Sequence, residues 1–303
     1  MGRTKDGYQL DFFLADPSVI HAKELRQLMA HCWFSLAKDP RYEPIRHSVG
    51  ESTVEITASD EDVPLATIWD HDILIFLISQ VVHMVDTGRI DPRRPGLTSG
   101  IQFSGYEYFR FLRKRWRRGG IGFRNYQLLW NGLQRLHRTH VRTDIRSGSL
   151  RGESQFYWLS AIKQLRDTET GQHYGYLAEL PSWLYQQIVQ TAADGRRLVN
   201  VVGLDPGYFD LTGGLERWLY LWARKSVDAQ RGDWDESFRS LYIKSGSTNS
   251  EKQFRFNLRK IIKRNSMIGY ELSEIIGRNG PRLGVVRRTG SDLLMSVNQL
   301  RLV

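Results

Sequence analysis

One cysteine, Cys32, stands in a chain of 303 residues. A lone thiol closes no internal disulfide, so the core alone has to hold the fold, and a reducing cytoplasm is the expected setting. Long apolar runs are missing too. The longest, Ile73 to Met84, is broken by Ser79, Gln80 and His83, whereas a spanning helix takes about 18 apolar residues. No membrane partner is expected. Lys5, Asp6, Gln9 and Asp11 interrupt any apolar leader at the N-terminus. Signatures of catalysis are also absent from the sequence. It has no Gly-x-x-x-x-Gly-Lys-Ser/Thr loop to cradle phosphates, no Gly-x-Ser-x-Gly elbow and no Cys-x-x-Cys for zinc. Nor does it have a His-x-His pair of the kind that holds metal in rolling-circle nicking enzymes. No enzyme, cofactor or metal centre is expected.

Acidic residues are scarce in two places. Ser104 to Arg151 carries twelve basic residues (Arg110, Arg113, Lys114, Arg115, Arg117, Arg118, Arg124, Arg135, Arg138, Arg142, Arg146, Arg151) and two acids, Glu107 and Asp144. Arg239 to Arg264 carries eight against the single acid Glu251. The whole chain has a net charge of +10, so everything outside these windows is net acidic. The pI is about 9.7. With 41% hydrophobic and 12% aromatic residues the chain can bury proper cores. Two basic clusters on a globular body suggest two phosphate-contacting surfaces. One such run alone would often be just a solvated helix face.

Each cluster falls inside the same run of elements. Ser104-Gly105-Tyr106-Glu107 fits a capping box that starts a helix to about Trp116. Gly119, Gly120 and Gly122 break it, and a second helix is predicted over Phe123 to His137. Thr139 to Arg146, a turn at Ser147-Gly148-Ser149 and a return over Gln155 to Ile162 read as a hairpin. The pattern recurs with helices at Gly214 to Val227 and Ser237 to Lys244, then another opened by Thr248-Asn249-Ser250-Glu251 and running to about Asn265. A hairpin over Tyr270 to Ile275 and Leu283 to Arg287 closes it. Helix, turn, helix and hairpin is the order of a winged helix. The expected fold is therefore α+β, with two tandem winged-helix domains. Residues 1–65 form an N-terminal extension, 66–190 the first domain and 196–303 the second. A helix opened by Asp16-Pro17 and a strand over Val49 to Thr57 make the extension either part of the first unit or a dimerisation arm. The tail Leu293 to Val303 is an interface strand or a ragged end.

On the last helix, Phe254, Leu258, Ile261 and Ile262 form a core stripe, and Lys252, Arg255, Arg259 and Lys263 lie about 130° away at 100° per residue. Arginine can bind guanine O6 and N7 bidentately, so Arg255 and Arg259 are the candidates for base contacts, with Lys252 and Lys263 on phosphate. Arg113, Lys114, Arg115, Arg117, Arg118, Arg124, Arg138 and Arg142 are expected to add backbone contacts from the first unit. Trp69-Asp70-His71-Asp72 could serve a metal-dependent nuclease, but Asp70 reads better as the cap of a helix with an acidic first turn. His137 and His140, or His31 beside Cys32, lack the second cluster a zinc site needs. Tyr106, Trp116, Phe123 and Trp130 could stack on single-stranded bases. They fit a core better.

Several longer stretches carry a family resemblance. They are Ala66-Thr67-Ile68-Trp69-Asp70, Arg135-Leu136 through Thr143, and Leu204-Asp205-Pro206 with Tyr208-Phe209. Leu211-Thr212-Gly213-Gly214-Leu215-Glu216-Arg217-Trp218-Leu219-Tyr220, Ser245-Gly246-Ser247 and Leu258-Arg259 complete the set. In order, over residues 25 to 290, they resemble the replication initiator protein A family of bacterial plasmids and related elements. The resemblance implies sequence-specific binding of double-stranded DNA at origin repeats, origin opening, and recruitment of host replication proteins. Among winged-helix initiators more widely, a monomer binds the origin and a homodimer represses the initiator's own promoter. A winged-helix transcriptional repressor with no replication role has the same DNA chemistry and is the alternative.

Overall fold

The computed structural model describes residues 22–25, 28–49, 52–91, 100–112, 122–144, 153–171, 173–190, 201–230 and 233–288. Strand β1 (Lys23–Leu25) and a 3-10 turn (Leu28–Ala30) lead to β2 (Ile45–Val49) and β3 (Ser52–Ala58). The first unit then runs α1 (His71–Asp86), β4 (Gly100–Phe103), α2 (Gly105–Phe111), α3 (Phe123–Arg138), β5 (Thr139–Thr143), β6 (Ser154–Tyr157), β7 (Ala161–Arg166), β8 (His173–Glu179) and α4 (Ser182–Val189). The second begins with β9 (Val201–Gly203) and a 3-10 turn (Pro206–Asp210). It continues through α5 (Gly214–Gln230), β10 (Asp233–Ser237), α6 (Phe238–Ser245), α7 (Glu251–Arg264), β11 (Tyr270–Gly277) and β12 (Gly280–Arg287).

The two units repeat one plan. Each has a long helix, a strand, two helices and a hairpin whose second strand sits centrally. The antiparallel orders are β4-β8-β7 and β10-β12-β11. The hairpin expected over residues 139–162 forms in part, its return strand ending at Tyr157, but it is not the one that the plan repeats. Thr139 to Thr143 and Ser154 to Tyr157 do pair with each other, but β5 also pairs with β3, giving a separate sheet β2-β3-β5-β6. The hairpin equivalent to that of the second unit is β7–β8, one element later. Alternation buries Thr139, Val141 and Thr143 and so marks a strand; it does not say which strand lies alongside. The turn at residues 147–149 lies outside the described residues, as do Arg146, Arg151, the Asp16-Pro17 helix start and the tail from Leu293.

Local signals decide most helix starts. Ser104 Oγ accepts from Glu107 N at 3.2 Å and Glu107 Oε2 accepts from Ser104 N at 2.6 Å, the reciprocal capping box. Two other cap assignments are corrected. The N-cap of α7 is Ser250, which accepts from Gln253 N at 3.2 Å, so the box from Thr248 to Glu251 does not form. Asp70 precedes α1 but makes no capping bond, because its backbone is already helical and its carboxylate turns back to Thr67 and Arg135.

Residues 22–49 tie the units together. β1 pairs antiparallel with β9. Arg41 donates to the carbonyls of Glu43 (3.1 Å) and Pro44 (2.9 Å) and to that of Gly246 (3.1 Å), in the turn between α6 and α7. Gly246 adopts a left-handed conformation, φ 56°, and a Cβ there would lie 2.6 Å from Ile45 Cγ2. Side chains of both units also meet directly: the Phe111 ring packs edge-on to Phe209 at 5.6 Å.

Candidate nucleic-acid interface

The stretches that carry the family resemblance meet inside the protein. Asp70 Oδ2 accepts from Thr67 N and Oγ1 (2.8 and 2.9 Å), and its two oxygens take Arg135 Nε and Nη2 at 2.7 and 2.6 Å. Asp72, at the start of α1, takes Arg217 Nη1 on both oxygens, at 2.8 and 2.9 Å. Arg217 also donates to the carbonyls of Leu211 (2.7 Å) and Phe209 (3.0 Å) and lies over the Tyr208 ring. Burial works against the Arg217 charge, but Asp72 together with Tyr208 and Tyr108 offsets it, and the guanidinium is held above its ordinary pKa. Burial, with Asp72 nearby, pushes the Tyr108 and Tyr208 hydroxyls far above theirs. Glu216 is buried and accepts from Arg264 Nη2 (2.7 Å) and Ser266 Oγ (3.1 Å). These carboxylates and guanidinia serve as a frame between elements, a role the sequence reading did not assign to Arg135, Glu216 or Arg217. The signal was a charged pair, Glu216-Arg217, set within the apolar run of α5.

Candidates on α7 divide into two sets. Phe254 and Leu258 are buried and Ile261 nearly so, which seats the helix against the β10-β12-β11 unit. Lys252 and Lys263 are exposed on the outer face and make no ion pair among the described residues. Arg255 and Arg259 are at the edges of that face and are engaged. Arg255 Nη2 meets Glu251 Oε1 at 2.5 Å, one turn away. Arg259 grips Glu274 of β11 with Nε and Nη2 at 2.8–3.1 Å, its guanidinium over the Phe238 ring. Glu274 raises the Arg259 pKa, and Arg259 lowers that of Glu274. The acid-poor window of the sequence is therefore partly neutralised by Glu274 and Glu216, which the fold brings in from elsewhere. The outermost positions of the helix also include Phe256 and Lys260, which charge counting passed over.

In the first unit, α3 buries Leu129, Gly132, Leu133 and Leu136 and exposes Phe123, Arg124, Gln127, Leu128 and Asn131. Arg124 has no ion-pair partner among the described residues. Arg138 pairs with Asp60 and Arg142 with Glu153 (2.9 Å for both nitrogens). Arg113, Lys114, Arg115, Arg117 and Arg118 lie outside the described residues. Among the described residues no cluster of three His, Cys, Asp or Glu is placed to hold a metal. His137 Nδ1 lies 2.9 Å from the Leu159 carbonyl, and Cys32 donates to that of Phe34 with its pKa pushed up to about 12 by burial. No described helix is long and apolar enough to cross a membrane.

The result is a mixed α/β protein of two like units, each presenting a helix on its surface. Residues 23–272 match the profile of the replication initiator protein A family, and the chain belongs to that family. A protein of Wigglesworthia glossinidia brevipalpis named "Putative replication protein" is 27% identical over 266 residues, covering 86% of this chain and 88% of the relative. Among solved structures, the crystal structure of domains 2 and 3 of RctB superposes with a TM-score of 0.55 at 12% identity, over 86% of this chain and 96% of that one.

Proposed function

We propose that the protein is a non-enzymatic replication initiator whose two units are winged helices binding duplex DNA at an origin, with α7 as the principal reading helix. The observation that carries this is the α7 face. One side of the helix is seated on an apolar core, and the other turns lysines outward with no acid among the described residues taking them. A helix so held fits the major groove, where phosphates line both edges. The repeated plan, β4-β8-β7 and β10-β12-β11 behind a pair of helices, supports the winged-helix reading of both units. Arg124 is the described cation that α3 has free for a phosphate. Arg255 and Arg259 reach bases only by leaving Glu251 and Glu274, exchanges that cost little because exposed pairs contribute about 0–1 kcal/mol. The membership in the initiator family supports origin repeats as the target and host replication proteins as partners. A homodimer occupying its own promoter would make the protein its own repressor.

A non-catalytic role fits the two acids around the start of α1. Asp70 and Asp72, the pair a nicking centre would use, are already bonded to Arg135 and Arg217. Supercoiled origin DNA incubated with the protein and Mg²⁺ should stay unnicked; nicking that disappears in Asp70→Ala would overturn the assignment. For duplex binding the test is salt dependence. Lys252→Ala and Lys263→Ala should each weaken all sequences about equally and flatten the slope of log K against log salt by about one. Unchanged slopes in both would remove α7 from the interface.

A further inference from the structure

Phe256 stands out on α7. Counting about 100° per residue, it lies almost diametrically across the helix from Phe254, Leu258 and Ile261. Its ring is 52% exposed. Such a ring has apolar area that docking would remove from water, a favourable change. Its helix neighbours one turn away are Lys252 and Lys260, and Lys260 Nζ sits over the ring at 4.3 Å. Gln253 and Arg259, three positions away on either side, are polar as well. A protein-binding surface would surround such a ring with more apolar area. Here a single apolar group is enclosed by cations. Its complement is a polyanion that offers a single apolar group at the right depth. The major groove presents one, the 5-methyl of thymine.

We infer that Phe256 reads a thymine methyl in the major groove, with Lys252, Lys260 and Lys263 on the phosphates around it. This rests on the duplex-binding reading above and adds the base it selects. Lys260 lies over the ring, and the half of the side chain that stays exposed is open to the methyl. The selectivity is therefore distinct from the guanine contacts open to Arg255 and Arg259.

The test uses the full chain and a duplex recovered with it from a randomised library. Each thymine is replaced in turn by deoxyuridine, which removes only the methyl, and binding is followed by fluorescence anisotropy. The wild type should lose about fourfold in affinity at one or two positions, the worth of one buried methyl. Phe256→Ala should bind the thymine duplex as weakly as the wild type binds the uracil one, and show no thymine–uracil difference at those positions. Phe256→Leu should keep part of the difference. The side chain is on the surface, so both variants should melt at the wild-type temperature. Duplex binding in which the wild type ignores the methyl, or in which Phe256→Ala keeps the full uracil penalty, would overturn this inference alone. Absence of any duplex binding would overturn the functional reading along with it. A single-strand preference lost in Phe256→Ala would assign the ring to stacking instead.

Discussion

A methyl group added at Gly132 would come within 2.8 Å of both Asp70 Oδ1 and Ile73 Cδ1. Asp70 cannot retreat freely, since two Arg135 nitrogens and two Thr67 groups hold it. Gly132→Ala should therefore cost about 1–3 kcal/mol of stability, through overpacking against a fixed ion pair, measured as a lowered urea midpoint at unchanged m. Asp72 and Arg217 have a sharper dependence on each other. Both side chains are almost fully buried, and removing one leaves the other charged without this counter-ion. Asp72→Asn or Arg217→Met should each cost about 3–5 kcal/mol, with the double variant recovering a large part of that loss. Additive losses in the double-mutant cycle would deny that the two act as a pair.

At the scale of elements, the hairpin β11–β12 has a direct effect on α7. Glu274 holds Arg259 and adds a negative charge beside the proposed phosphate path. Glu274→Gln should free the guanidinium and tighten duplex binding about two- to fivefold at low salt, less at high salt. Weaker binding would mean that Glu274 orients Arg259 for its contact. Elements like α3, α7 and the β11–β12 pair were legible because each carries its own periodicity and stops: an apolar stripe at helical spacing, Gly122 before α3, the polar stretch Thr248 to Glu251 before α7, and Asn279-Gly280 in the turn. β4, β9 and β10 were not. They are short strands whose pairing partners lie far along the chain, and nothing local marks them. The same limit hid the second neighbour of β5: its pairing with β6 was readable as a local hairpin, whereas its pairing with β3, from far earlier in the chain, was not. Site legibility divides in the same way. Lysines facing solvent could be read from helix geometry, whereas the acids that capture Arg138, Arg142, Arg259 and Arg264 arrive through tertiary contacts.

Across the whole molecule, residues 22–49 govern how the units sit together. His31 and His47 belong to this stretch, and burial depresses both to a pKa of about 4 from an ordinary 6.5. A depressed histidine is neutral when folded and gains its proton more readily when unfolded. The stability it contributes is therefore full above about pH 6.5 and is lost as pH falls toward 4. Denaturant unfolding across that window should show a falling midpoint, and His47→Gln should flatten part of the fall. Arg41→Ala should release the turn at Gly246 without exposing either core. Duplexes carrying both half-sites should then bind more weakly while isolated half-sites bind as before, a loss located in the coupling between units.

The pairing of β1 with β9 also has a consequence for biosynthesis. The partners, Lys23–Leu25 and Val201–Gly203, stand far apart in the chain, with the entire first unit threaded between them. On the ribosome, the leading segment must wait unmated while that unit folds, and it finds its mate only once Val201–Gly203 has left the exit tunnel. Cutting the gene between the halves would strand one of these strands on each fragment, so neither piece would reproduce the corresponding half of the intact chain.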